Sequence, residues 1–188
     1  MELVETVLND LLIIQPKVFN DSRGYFFESF NEQRLRSIGI ESDFVQDNES
    51  YSEYGTIRGI HFQLAPYSQA KLVRVVHGRI LDVALDIRKN SPTYGKFFTI
   101  ELDSETKRIL FIPKGFAHGF SVLSANALVN YKCDALHNSQ AERGINYNDP
   151  FLGIDWKVEP DKAKVSSKDK VLPFFNQIES NFIFGKHH

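Results

Sequence analysis

An antiparallel all-β sandwich or barrel carrying short peripheral helices is the architecture expected of this chain. Three observations point to it. At 188 residues the chain has room for one sizeable hydrophobic core and little room for two. Its 16 Phe and 7 Tyr, within 42% hydrophobic residues, favour pleated, half-buried surfaces. Its apolar residues fall in short runs, one after another, separated by turn-forming residues at the spacing of an antiparallel protein.

Leu11 to Ile14 reads as the first strand, closed by Pro16. The turn Asn20-Asp21-Ser22-Arg23-Gly24 then feeds a second strand, Tyr25 to Phe30. The one good helix is short: Asn31 caps it, Glu32 suits its first turn, Leu35 and Ile38 form its apolar face and Gly39 ends it. Strands follow at Phe44 to Ser50, Ile57 to Gln63, Lys71 to Val76, Ile80 to Ile87, Phe97 to Leu102, Ile109 to Ile112, Gly119 to Leu123 and Ala127 to Cys133. His77-Gly78, Lys89-Asn90-Ser91-Pro92, Asp103-Ser104 and Pro113-Lys114-Gly115 interrupt the alternation between them. Beyond Asn148-Asp149-Pro150 the pattern fades into Lys/Asp/Ser-rich sequence. The expectation is one domain over residues 1–188, with a core over about 11–135 and an extension over 150–185 packed on the barrel.

A formal net charge of -2 offers no general attraction for nucleic acid or an anionic membrane, so basic character must be local. Cys133 is the only cysteine, which rules out an intrachain disulfide. The early apolar run is too short for a signal segment or a membrane span, and the chain reads as cytoplasmic. His187 and His188, after Gly185-Lys186, look like the start of a purification tag and are given no role.

Against this scaffold, several polar residues sit where an inert core would not place them. His61 lies between Ile60 and Phe62, near Arg58, Gln63 and Lys71, and so many polar groups on neighbouring strands are costly without partners. Lys71 shares a strand face with Val73 and Val75 and either snorkels to solvent or faces a pocket. Asp82, within Ile80 to Ile87, needs a partner such as a pocket cation. Phe44 to Ser50 is polar on both faces, which favours an edge strand over the lining of a wet cavity. Taken alone, Tyr131 reads as packing and Asp169 as a solvated loop charge.

The element Pro113-x-Gly115-x-x-His118 resembles the second motif of the cupin superfamily of small jelly-roll barrels. Metal-carrying cupins add a His-x-His pair and a glutamate in the first motif. Here the matching region is His61-Phe62-Gln63, which leaves two imidazoles and no carboxylate at a suitable offset, so no tightly bound metal is expected.

A longer set of blocks is more specific. Asp21-Ser22-Arg23-Gly24-Tyr25-Phe26-Phe27-Glu28, Gln46-Asp47-Asn48, Arg58-Gly59-Ile60-His61, Gln69-Ala70-Lys71, Asp86-Ile87-Arg88, Ser91-Pro92-Thr93, Ala117-His118-Gly119-Phe120, Tyr131-Lys132-Cys133, Glu142-Arg143-Gly144-Ile145, Asn148-Asp149-Pro150 and Ser167-Lys168-Asp169 together resemble the dTDP-4-dehydrorhamnose 3,5-epimerase family, in order, from about Asp21 to Asp169.

That resemblance implies a cofactor-free, metal-free jelly-roll homodimer acting on dTDP-4-keto-6-deoxyglucose in the pathway to dTDP-L-rhamnose. It implies that His61 is the base, Asp169 its partner and Tyr131 the proton donor on the other side of the sugar. Nucleotide and sugar contacts fall on Arg23, Phe26, Glu28, Gln46, Asn48, Arg58, Lys71, His118, Glu142 and Lys168. Lys71 suits the developing enolate oxygen, and Arg23, Arg58 and Lys168 suit a diphosphate. One position departs from the family: His137 stands where a tyrosine usually stacks on thymine. The rival within the same chemistry is a C3-only or C5-only epimerase; Leu11 to Ile14 is the candidate strand for the dimer contact.

Overall fold

Period-2 alternation builds two facing antiparallel sheets. The computed structural model describes residues 2–6 and 8–186; His187 and His188 lie outside the described residues. The strands are β1 (Glu2–Thr6), β2 (Leu12–Gln15), β3 (Phe19–Asp21), β4 (Gly24–Phe26), β5 (Gln46–Glu53), β6 (Thr56–Gln63) and β7 (Lys71–His77). There follow β8 (Arg79–Asp86), β9 (Phe97–Asp103), β10 (Ile109–Ile112), β11 (Phe116–Val122), β12 (Asn126–Cys133), β13 (Glu142–Gly144) and β14 (Lys164–Val165). Two short helices, α1 (Glu32–Ser37) and α2 (Ser167–Lys170), lie outside the sheets.

One sheet runs β1-β2-β10-β7-β12-β5 and the other β13-β6-β11-β8-β9, with β14 beside β6 in parallel and β3-β4 as a separate hairpin. Their inner faces share one apolar cluster: Val73, Val75, Leu110 and Val129 from the first sheet meet Ile80, Ala84, Phe120 and Val122 from the second. This is the jelly-roll sandwich expected above. Among the described residues no helix is long and apolar enough to cross a membrane.

The outer faces are covered differently. α1 lays Leu35 on Ile14, Leu72 and Ile109 of the first sheet. Its cap is as expected: the Asn31 side chain accepts from the Arg34 amide. The second sheet is covered by the C-terminal segment, whose Leu152, Trp156, Phe175 and Phe182 pack with Ile57, Ile60, Phe62 and Val83. Asp149 clamps that segment, accepting from the amides of Phe151 and Leu152 through one oxygen and from Phe175 through the other.

Three expectations need correction. The strand foreseen over Tyr25 to Phe30 stops at Phe26, because Glu28 leaves the ladder to pair with Arg34 and accept from Asn31. The strand foreseen from Gly119 begins at Phe116, so His118 lies on β11 rather than in the turn before it. Leu11 to Ile14 is no free edge, since β2 is covered by β1 on one side and β10 on the other. The polar strand β5 is last in its sheet, as expected, but its Gln46 and Asn48 also line a cleft, so the cavity reading set aside in its favour holds as well.

Candidate active site

The same alternation that builds the core brings polar groups into it. Lys71 precedes Val73 and Val75 on the inner face of β7, Asp82 stands between Ile80 and Ala84 on β8, and Tyr131 lies two residues beyond Val129 on β12. Each side chain therefore faces the interior at one end of the barrel.

His61 reaches the same place through a close crossing of β6 and β11. A Cβ on Gly59 would lie 2.6 Å from Gly119 Cα, and one on Gly119 would lie 2.8 Å from the Arg58 carbonyl oxygen. Gly59 also holds a φ of +112°, so neither spacing nor backbone accepts a side chain there. The ladder is irregular at this crossing and leaves His61 directly opposite His118.

Asp169 arrives from 108 positions away. β14 pairs with β6 at Thr56 and Ile57, Ser166 accepts from the Asp169 amide at 3.0 Å to cap α2, and the Asp169 carboxylate is buried against β6. There His61 Nε2 lies 2.8 Å from Asp169 Oδ1. With Nε2–H donating to the carboxylate, Nδ1 is the ring nitrogen left to take a proton.

These groups line a cleft of two lobes. The larger, about 400 Å³, is bordered by Arg58, His118, Lys164, Lys168 and Asp169; the smaller, about 200 Å³, by Gln46, Asn48, Gln69, His137 and Glu142. His61, Lys71 and Tyr131 border both, so they form its waist. A larger hollow of about 810 Å³ between the 39–43 loop and the 183–186 tail has no histidine or tyrosine in its lining.

Burial sets the protonation states. It pushes the His61 imidazole below its ordinary value, the opposing pull of Asp169 notwithstanding, and so favours the neutral ring. Burial raises the Tyr131 phenol and keeps its proton on. It also lowers the Lys71 ammonium, against which Cys133, Asp82 and Glu142 work. Lys71 packs against the Tyr131 ring, 6.0 Å from its centroid. Burial works against ionising Glu142, but Lys168 at 2.7 Å outweighs it and holds the carboxyl below its usual range.

Gln63, the residue that broke the metal motif, is engaged in structure. It donates to the carbonyls of Tyr67 and Leu136 and accepts from the Asn138 amide, fixing the loop before β13. The half-buried His61 and the buried His118 each face their own carboxylate, and no cluster of three or more metal-ligating side chains occurs among the described residues.

Of the residues singled out from sequence, Gln46, Asn48, Arg58, His61, Lys71, His118, Tyr131, His137, Glu142, Lys168 and Asp169 border the cleft. Arg23, Phe26 and Glu28 do not. They belong to the β3–β4 hairpin and the stretch just after it, where Arg23 pairs with Asp21 and the Phe26 ring is 67% exposed. Sequence reasoning missed Lys164 and Ser166 of the larger lobe, which sit in a segment with no strand-like alternation to flag them. It noticed Asp82 without finding its partner, His118, at 2.9 Å.

Comparison with known proteins bears on the family and the fold. The sequence model of the dTDP-4-dehydrorhamnose 3,5-epimerase family matches residues 5–177. The chain is 49% identical over 168 residues to a dTDP-4-dehydrorhamnose 3,5-epimerase of Methanothermobacter thermautotrophicus, covering 89% of this chain and 90% of the relative. The crystal structure of the enzyme of that name from Elizabethkingia anophelis superposes with a TM-score of 0.89 at 47% identity, over 94% of this chain and 97% of that one. A Legionella pneumophila dTDP-6-deoxy-D-glucose-3,5-epimerase, solved in complex with dTDP-4-keto-L-rhamnose, gives 0.90 at 44% identity over 95% and 94%. A match spanning nearly the whole chain, at this identity and over the same architecture, places the protein in the dTDP-4-dehydrorhamnose 3,5-epimerase family.

Proposed function

We propose that this protein converts dTDP-4-dehydro-6-deoxy-D-glucose to dTDP-4-dehydro-L-rhamnose by inverting C3 and C5. The observation that carries the reading is the waist of the cleft: a carboxylate-paired His61 on β6 of one sheet, with Lys71 and Tyr131 on β7 and β12 of the other. A base and a proton donor on opposite walls are what inversion at a carbon requires.

The C4 ketone acidifies the hydrogens on both flanking carbons, so one base at that edge of the ring serves both. His61, neutral through burial, takes each proton at Nδ1, and Asp169 stabilises the imidazolium that forms. The electron pair moves onto the C4 oxygen as an enolate, which the Lys71 ammonium stabilises. Tyr131 returns a proton from the opposite face. Protons leave and return with no net change in oxidation state, so acid–base groups suffice for the whole reaction.

Arg58 and Lys168 supply the positive charge for a diphosphate, and Gln46, Asn48 and the exposed ring of His137 suit the thymidine end. The exposed β3–β4 hairpin supports a homodimer in which Arg23, Phe26 and Glu28 enter the partner's cleft.

Incubation with dTDP-4-dehydro-6-deoxy-D-glucose in heavy water, followed by NMR, tests the reading. Deuterium should enter at C3 and C5 with wild type and at neither carbon with His61→Ala. Tyr131→Phe should keep exchange while product formation falls by about 100- to 10,000-fold. Exchange at one carbon alone would reassign the protein as a single-site epimerase, and none at either, with substrate bound, would sink the proposal.

A further inference from the structure

Alternation along β5 turns Gln46, Asn48, Ser50 and Ser52 to the inner face of the sandwich. At its two ends this polar row braces groups that border the cleft. Gln46 accepts from the His137 amide at 2.8 Å, and Ser52 Oγ accepts from Arg58 Nε at 2.9 Å. The second bond crosses from one sheet to the other, since Ser52 is on β5 and Arg58 on β6.

The chain makes that crossing through Tyr54-Gly55. Gly55 holds a φ of +80°, and a Cβ there would run into the Lys162 carbonyl, so the corner is fixed with Ser52 and Arg58 on its two arms. Ser52 is buried, opposite the wholly buried Ala127 of β12, whereas Arg58 is exposed. The bond therefore anchors a long, solvent-facing cation on a fixed point of the facing sheet. Arg58 Nη2 also donates to the Tyr51 carbonyl, at 3.5 Å. One edge of the guanidinium is thus held by β5, and Nη1 has no partner among the described residues.

The other exposed cations of the larger lobe are differently placed. Lys164 pairs with Glu53 at 2.6 Å and Lys168 with Glu142 at 2.7 Å, while Arg58 meets no carboxylate at contact distance. A neutral hydroxyl orients Arg58 without neutralising it.

We propose that Ser52 is a positioning residue for phosphate binding: it holds the Arg58 guanidinium in the larger lobe with Nη1 free for an oxygen of the bound diphosphate. This rests on the nucleotide-sugar reading above. An arginine ordered before the ligand arrives loses less side-chain freedom on binding, and its planar fork presents its donors in one geometry.

The test is a double-mutant cycle read by calorimetric titration with dTDP and with thymidine. Ser52→Ala should weaken dTDP by about 2- to 12-fold, the cost of ordering one long side chain, and leave thymidine unchanged. KM for the sugar nucleotide should rise by a similar factor with kcat changing far less. Arg58→Ala should weaken dTDP at least as much, and adding Ser52→Ala to it should cost nothing further. Losses that multiply in the double variant, an equal loss for thymidine, or unchanged dTDP affinity in Ser52→Ala would each overturn the proposal. Should Ser52→Ala not fold, Arg58→Lys decides, because it keeps the charge and lacks the Nε donor: weakened dTDP binding supports the proposal and wild-type binding refutes it. A wild type that binds dTDP with this coupling but never turns over the sugar would refute the proposed reaction while upholding the hold of Ser52 on Arg58.

Discussion

In the proposed reaction a single contact, His61 Nε2 to Asp169 Oδ1 at 2.8 Å, turns two ordinary residues into a base. Burial lowers the imidazole and Asp169 raises it, so removing the carboxylate leaves burial opposed by Glu142 alone. In wild type the acid limb of kcat/KM should lie below the ordinary histidine value of about 6.5, because activity is lost only as pH falls far enough to protonate the depressed ring. In Asp169→Asn the limb should move lower still, while kcat falls by about 100- to 10,000-fold for want of a partner to orient the ring and stabilise the imidazolium; a pH–rate profile of each protein checks both shifts. Not every residue in the family blocks belongs to the site. Asp86 is wholly buried and accepts from Arg88, Ser91 and Thr93, a hydrogen-bonded knot that fixes the turn after β8. Its carboxyl lies below the usual range because these donors outweigh the burial that opposes ionisation. Such a group stabilises the fold above the unfolded carboxylate value, and that stability is lost as pH falls through the folded one.

At the scale of elements, the site depends on α2, a helix of only four residues. So short a helix cannot stand on its own hydrogen bonds, and it is held by the Ser166 cap, by β14 on β6 and by the contact of Lys168 with Glu142. Ser166→Ala should cost about 1 kcal/mol, a Tm shift of roughly 2–4 °C for a chain of this size. The larger effect should appear in kcat, because the cap also fixes the turn that aims Asp169. Calorimetry and steady-state kinetics on the same variant separate the two, and a kcat unchanged from wild type would remove the cap from the positioning of Asp169. The strands were legible where alternation met turn chemistry, as at Ile109–Ile112, whose ends match the expectation. They were less legible where side chains pulled the backbone away, as after Phe26, and where a polar residue such as His118 continued a strand that looked like a turn.

For the whole molecule, the proposed homodimer makes the hairpin carrying Arg23 and Phe26 the link between substrate binding and assembly. Phe19, Tyr25 and Phe26 are all more than half exposed on it, an apolar surface of the kind that partners cover. Sedimentation equilibrium should return twice the chain mass, and Phe26→Ala should raise KM for the nucleotide sugar with little change in kcat, since the ring would touch the base and not the reacting carbons. A monomer with full activity would exclude the shared cleft. The primary structure alone determined the class of fold, since alternation and turn residues act within a few positions of one another. It also marked His61, Lys71, Tyr131 and Asp169, through the order and identity of the family blocks around them. Only tertiary structure decided which of them meet. The Asp169 to His61 contact spans 108 positions, the Asp82 to His118 contact depends on the register of β8 against β11, and Lys71 lines a cleft because its strand end opens onto one. These pairings follow from how two sheets and a C-terminal segment pack, and no local pattern encodes a distance across a core.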